Sequence, residues 1–154
     1  MDRMNSVLST LIALLRIILG VVFVFASISK IADPGAFADA IGSYRIISGT
    51  GALLLATILP WIELLAGFGL LFGLFVRGSA LLVAVMLIVF TLAVLSALWR
   101  GLDISCGCFS MDPAAERLGW WKTAEDVLLL VMSLLVLCQP TYRLTLGAMD
   151  RQKE

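Results

Sequence analysis

Two thiols one residue apart, Cys106 and Cys108, stand in the stretch Cys106-Gly107-Cys108-Phe109. A pair at this spacing can close into a small disulfide ring, and Gly107 permits the unusual backbone angles that such a ring needs. A disulfide held away from its relaxed geometry stores strain and is more easily reduced, so the pair suits exchange better than stapling. The attacking species in exchange is a thiolate. Flanking negative charge from Asp103 and Asp112 alone would disfavour it, and a helix N-terminus or a basic residue has to offset that. Lys30, Arg100 and Lys122 are the basic candidates near that face. Two other readings stay open at this point: passive loop cysteines, and transient binding of a soft ion such as Cu(I) by two thiolates. A closed zinc site wants about four ligands, and the chain has no histidine, so no resident metal is assigned. Cys138 lies about 17 residues beyond Trp121, on the order of 25 Å along a helix, and is read as a packing or lipid-facing residue.

The elements that must position this pair are set by composition. Of the 154 residues, 61% are hydrophobic and only 14% charged, against about half and about a quarter in soluble domains. The mean hydropathy of +1.05 therefore asks for lipid as solvent. Net charge is zero with no basic run, which excludes a nucleic-acid partner. About 20 apolar residues cross a ~30 Å hydrocarbon core, and four stretches qualify: 9–31, 52–75, 80–99 and 120–139. The expected fold is a single all-α integral membrane domain, a four-helix transmembrane bundle. A cleaved signal peptide is the rival reading of the first stretch. Asp33 and Pro34 have the chemistry of a helix cap and first turn. Phe37, Ile41 and Tyr44 then form one apolar stripe, as in a short interfacial helix; an ordinary connecting loop is the alternative. Val76-Arg77-Gly78-Ser79 reads as a tight turn between the second and third spans. Gly69/Gly73, Ala80/Ala84 and Ala93/Ala97 have the small-residue spacing that lets helices approach. The cysteines fall in a polar loop, 101–118, and a polar tail, 141–154, follows the last span.

Four crossings put both termini on one side and the cysteine loop on the other. Lys and Arg divide five against five between the sides, so loop charge does not set the orientation; Arg16 tilts the balance toward cytoplasmic termini. Ionisable residues inside a span are costly and usually pair or line a pathway. The depths of Arg16 and Glu63 are comparable, which suggests one pair, and Lys30 could face Asp126. These four residues, Arg16, Lys30, Glu63 and Asp126, are the candidates for a quinone-like head group or for proton movement. Helix fixing alone is the alternative role.

Several ordered pieces carry a resemblance. They are Arg16-Ile17-Ile18-Leu19-Gly20, then Ser29-Lys30-Ile31 with Asp33-Pro34, then Leu59-Pro60-Trp61-Ile62-Glu63-Leu64-Leu65-Ala66-Gly67, then Cys106-Gly107-Cys108-Phe109. Over residues 11 to 138 the chain resembles the MauE branch of the DoxX-like membrane proteins. Ser110 stands where that family usually has a glycine. The resemblance implies a four-span bundle in the bacterial inner membrane, with Cys106 and Cys108 as an extracytoplasmic redox pair. It implies a role in methylamine utilisation through disulfide formation in a partner enzyme, and in the sulfur-oxidising relatives a quinone as electron acceptor. Four-span thiol oxidases share the general plan but carry further cysteine pairs that this chain lacks. The electron partner must then be another protein, such as a thioredoxin-like one, or a small molecule. The function expected is thiol–disulfide exchange in the membrane; the rivals are a non-enzymatic assembly subunit and a soft-metal or small-solute carrier.

Overall fold

The computed structural model describes residues 2–102 and 120–138, and among them every regular element is helical. The helices are α1 (Asp2–Ala32), α2 (Pro34–Ser43), α3 (Thr50–Phe72), α4 (Val76–Trp99) and α5 (Trp120–Leu137). Among the described residues three segments are long and apolar enough to cross a membrane: Thr10–Ala32, Thr50–Phe72 and Val76–Trp99. The surface has the matching polarity. Leu14, Phe25, Leu54, Leu65, Val89 and Leu128 are all exposed, while Arg16, Lys30, Glu63, Thr91, Asp126 and Ser133 are buried. A water-soluble bundle would reverse that arrangement.

Helices in lipid gain little from burying one apolar side chain against another, so close approach and van der Waals contact must hold them together. α1 packs chiefly on α3 and α4 on α5, and α3–α4 and α1–α5 contacts join the two pairs. The tightest crossing is at Gly20 and Gly67. A Cβ on Gly20 would stand 2.9 Å from the Gly67 carbonyl oxygen, and one on Gly67 would stand 3.1 Å from that of Gly20. Leu19, Leu70, Ala80, Val83 and Val136 are buried around this crossing in one apolar core. Two buried hydroxyls are satisfied within their own helices: Ser27 donates to the Val24 carbonyl at 2.7 Å and Ser133 to that of Leu130 at 2.8 Å.

Two features differ from the sequence expectation. The turn between α3 and α4 is at 73–75, not at 76–79. Gly73 takes the left-handed conformation at φ 70° and ends α3, as glycine does after a helix, and Phe75 follows at φ 48°. Gly73 is therefore a helix stop, and the small residue in contact is Gly69, whose absent side chain leaves room for Ser79 of α4. The α1–α3 approach uses Gly20 and Gly67 instead. The first span, Thr10–Ala32, agrees with the expected 9–31. The N-terminus of α2 is as expected: Asp33 accepts from the Ala36 amide at 2.9 Å, with Pro34 in the first turn.

Candidate functional site

Lys30 and Glu63 make a buried ion pair. The Lys30 ammonium donates to both carboxylate oxygens of Glu63, at 2.7 and 2.8 Å. Glu63 was expected to meet Arg16. The reason it does not is the lean of helical side chains toward their own N-terminus. With Gly20 level with Gly67, Glu63 lies roughly 9 Å in depth from Lys30 and roughly 12 Å from Arg16. α1 and α3 run antiparallel, so Lys30 and Glu63 lean toward each other, while Arg16 and Glu63 lean apart. Arg16 is buried on the same stripe of α1, about four turns from Lys30.

The ion pair forms part of the wall of a cavity of about 630 Å³. Lys30 comes from α1, Phe37 and Tyr44 from the α2 region, Glu63 from α3, Phe90 from α4 and Asp126 from α5. The remaining wall is almost wholly aliphatic. Lys30 also lies over the Phe37 ring, 5.0 Å from its centroid, a favourable cation–π arrangement. Lys30 and Asp126 thus share one chamber, as the sequence suggested, but the salt bridge goes to Glu63.

α2 and the turn after it roof this chamber. The stripe predicted from sequence faces inward: Phe37 and Tyr44 are buried, Ile41 is half-buried and Asp39 is exposed. Two contacts fasten the roof to the end of α4. Tyr44 meets Phe90 edge to face, with centroids 6.3 Å apart, and its carbonyl accepts from Arg100 Nη1 at 3.1 Å. Arg45 then turns the chain at φ 54°. Burial pushes the Tyr44 phenol well above the usual tyrosine range, and the nearby Asp126 carboxylate pushes it the same way. The phenol is therefore neutral at any physiological pH and keeps its proton as a donor.

Sequence reasoning placed Tyr44 in an interfacial stripe and missed its position on the cavity wall. Its i, i+7 spacing from Phe37 was the available signal. Lys30, Glu63 and Asp126 come together; Arg16 is not on this wall. Cys106 and Cys108 lie outside the described residues. Cys138 is exposed at the end of α5. Among the described residues no three His, Cys, Asp or Glu side chains gather as a metal site would require.

The model of the family described as "Methylamine utilisation protein MauE" matches residues 8–139. The chain belongs to the MauE family. With its three apolar helices, it is an integral membrane protein. It is similar to proteins named methylamine utilization protein MauE in three organisms. It is 27% identical to that of Paracoccus denitrificans over 79% of this chain and 66% of the relative. It is 28% identical to that of Methylophilus methylotrophus over 75% and 61%, and 31% identical to that of Paracoccus versutus over 78% and 64%. The chain thus matches somewhat less than two thirds of each MauE relative's length. No solved structure matches it. The MauE match takes in both the cavity residues and the dithiol stretch, from Lys30 to Asp126.

Proposed function

We propose that this chain is a four-span protein of the bacterial inner membrane that serves methylamine utilisation by exchanging disulfides through Cys106 and Cys108. In this reading α5 is the fourth span. Its 18 residues cover ~27 Å, its apolar Leu128, Val131, Leu134 and Leu135 are exposed, and Trp120-Trp121 is an interfacial pair by composition. In the same reading α2 lies in the interface and the termini are cytoplasmic.

One observation carries the reading. α4 ends and α5 begins at the hollow pole of the bundle: Arg100 bonds to Tyr44, Leu102 packs against the cluster of Tyr44, Val94 and Ala97, and Asp126 is on the cavity wall. The chain that carries the dithiol therefore departs from and returns to the end where buried ionisable groups surround a cavity. In this reading the dithiol serves a partner outside the membrane and an acceptor reached from that end.

The chemistry balances as follows. A thiolate of an extracytoplasmic partner, thioredoxin-like or itself the substrate, attacks one sulfur of the Cys106–Cys108 disulfide. The ring bond breaks and a mixed disulfide forms. The partner's second thiol resolves it, leaving a disulfide in the partner and two thiols here. Return to the oxidised form releases two electrons and two protons to a quinone or to the disulfide of a second protein, which becomes two thiols.

Thiol trapping in membranes tests this. In a Cys138→Ser background only the pair reports. It should cycle between a form that reacts with an alkylating reagent and one that does not, according to partner redox state. Cys106→Ser/Cys108→Ser should abolish partner oxidation. Full activity in that double variant overturns the reading, and partner co-purification that survives it points to an assembly role instead.

A further inference from the structure

We propose that the roofed cavity holds one acyl chain of an anionic phospholipid, whose phosphate is met by Arg45 and Arg100 at the rim. The site does not depend on thiol exchange.

Space and access come first. The chamber of about 630 Å³ has room for roughly twenty water-sized groups at ~30 Å³ each. A methylene is of similar size, so one long acyl chain fits and two do not. Ile46, Ile47, Val89 and Leu92 line the chamber and are exposed. The mouth is therefore apolar and opens on the flank of the bundle, where the solvent is lipid tails. Hydrocarbon that enters restores the dispersion contacts that a void forfeits. Lys30 and Glu63 already neutralise each other, so a chain beside them leaves neither charge short of its counterion. Tyr44 and Asp126 hold interactions of their own, and the fit calls on neither.

Reach comes second. Val85, Val89 and Leu92 fall at i, i+4 and i+7 along α4, and all three line the chamber and are exposed. The same stripe ends at Trp99, which is 93% exposed and closes the helix as an aromatic residue at headgroup level does. From Arg100 to Val85 the helix covers ~22 Å. One leaflet with its headgroups is ~20–22 Å deep. A phospholipid with its head at Arg100 therefore ends its tail level with Val85, inside the chamber.

Charge sets the class of head. Arg100 donates from Nη1 to the Tyr44 carbonyl at 3.1 Å, which uses one of the five guanidinium donors. Arg45 directly follows Tyr44 and is exposed. Its left-handed backbone, at φ 54°, would suit glycine, yet the chain carries a guanidinium there. Two arginines from separate elements thus meet at one edge of the roof, next to Ile46 of the mouth. A guanidinium matches phosphate in charge and in bidentate geometry. Of the exposed carboxylates on this roof, Asp33 caps the far end of α2 and Asp39 stands on α2 itself. A head of net negative charge suits the two arginines better than one that brings its own ammonium group. Bound there, it bridges the roof to α4 beside the bond that Arg100 makes to Tyr44.

The test uses the full chain in nanodiscs of phosphatidylcholine, doped with phosphatidylglycerol that carries a diazirine near the end of one acyl chain. Label should fall on 46–47, 59 and 85–93 and be competed by unlabelled phosphatidylglycerol. It should persist in Cys106→Ser/Cys108→Ser. A phosphatidylcholine probe with the same chain should label these residues about tenfold less. Arg45→Glu should bring the phosphatidylglycerol probe down to that level. The Arg45 side chain is exposed and has no polar partner among the described residues, so folding does not depend on it. Val89→Trp should lower labelling as well, by narrowing the mouth. Equal labelling by the two probes, label spread evenly over the lipid-facing helices, or labelling indifferent to Arg45→Glu would each overturn the proposal. Displacement by a neutral diacylglycerol as effective as by phosphatidylglycerol would overturn it by showing a chain held without its head. Displacement by inorganic phosphate would overturn it by making a soluble anion the ligand of the arginines.

Discussion

The two ends of this bundle are built on opposite plans. Near Gly20 and Gly67 the helices touch backbone to backbone, and Leu19, Leu70, Val83 and Val136 are fully buried between them. At the other end the same helices separate around a cavity, and the ionisable residues Lys30, Glu63, Tyr44 and Asp126 stand on its wall. A void forfeits dispersion contacts, and charges away from water cost several kcal/mol each unless paired. The hollow end accepts both costs, while the close-packed end, where Arg16 is also buried, accepts only the second. Stability therefore resides at one pole, and the features that folding would discard are gathered at the other, where ligand chemistry has a use for them.

The largest expected effect comes from breaking the ion pair at the hollow end. Glu63→Gln or Lys30→Met leaves one buried charge without its counterion and should cost about 3–5 kcal/mol of stability. Lys30→Met/Glu63→Met, which removes both charges, should recover most of that loss. Loss of helicity during denaturant titration in mixed micelles measures each step. The double variant also sharpens the contrast between the poles. If the pair belongs to the functional end, this variant folds but no longer supports partner oxidation. A folded double variant with undiminished partner oxidation would make the pair a packing device like the glycine crossing.

Much of this layout was legible in the sequence, for identifiable reasons. Span lengths follow from lipid thickness and the rise of a helix, so α3 and α4 were found to within a few residues. Asp33-Pro34 is a strong local start signal and located α2. The pairing of Glu63 was not legible, because comparable depth in two spans says nothing of helix direction or of side-chain lean. Lys30 is nearer in reach than Arg16 once α1 and α3 are known to be antiparallel and to cross at Gly20 and Gly67. That crossing was itself hidden: a lone glycine in each of two spans has no spacing signature, whereas Gly69/Gly73 has one and proved to be a hairpin contact and a helix stop. The cavity was out of reach altogether, since empty space is a property of five helices at once. The predicted stripe of Phe37, Ile41 and Tyr44 identified a buried face without saying that the face roofs a chamber.

A pair of glycine substitutions probes the same contrast with smaller effects. Gly67→Ala at the solid end would put a methyl 2.9 Å from Val24 Cγ2 and 3.1 Å from backbone atoms of α1. The helices must separate, at a cost of about 1–3 kcal/mol. Gly42 in the roof has nothing within 4 Å of an added Cβ, and it sits inside α2. Gly42→Ala should stabilise the protein by about 0.5–1 kcal/mol through helix propensity alone. Equal penalties at both sites, read from melting temperatures in one detergent, would mean that the roof is packed as tightly as the crossing.

The smallest effect is invisible at neutral pH. The folded chain holds the Tyr44 phenol above its ordinary range by burial and by the Asp126 carboxylate. The unfolded chain releases that proton near pH 10. Below pH 10 both states keep it, and the contribution to stability is whole and constant. Above pH 10 the unfolded state binds fewer protons than the folded one, so stability falls as pH rises toward the folded-state value. In a Tyr142→Phe background, which leaves Tyr44 as the single tyrosine, the phenolate absorbance should appear later than in the unfolded chain. Tyr44→Phe should flatten that part of the alkaline stability loss, leaving the part due to lysines. A phenolate band that rises at the same pH in folded and unfolded protein would show Tyr44 to be in contact with water. The roof would then be open and the hollow end continuous with solvent, and the cavity could no longer be a compartment that only lipid-soluble molecules reach.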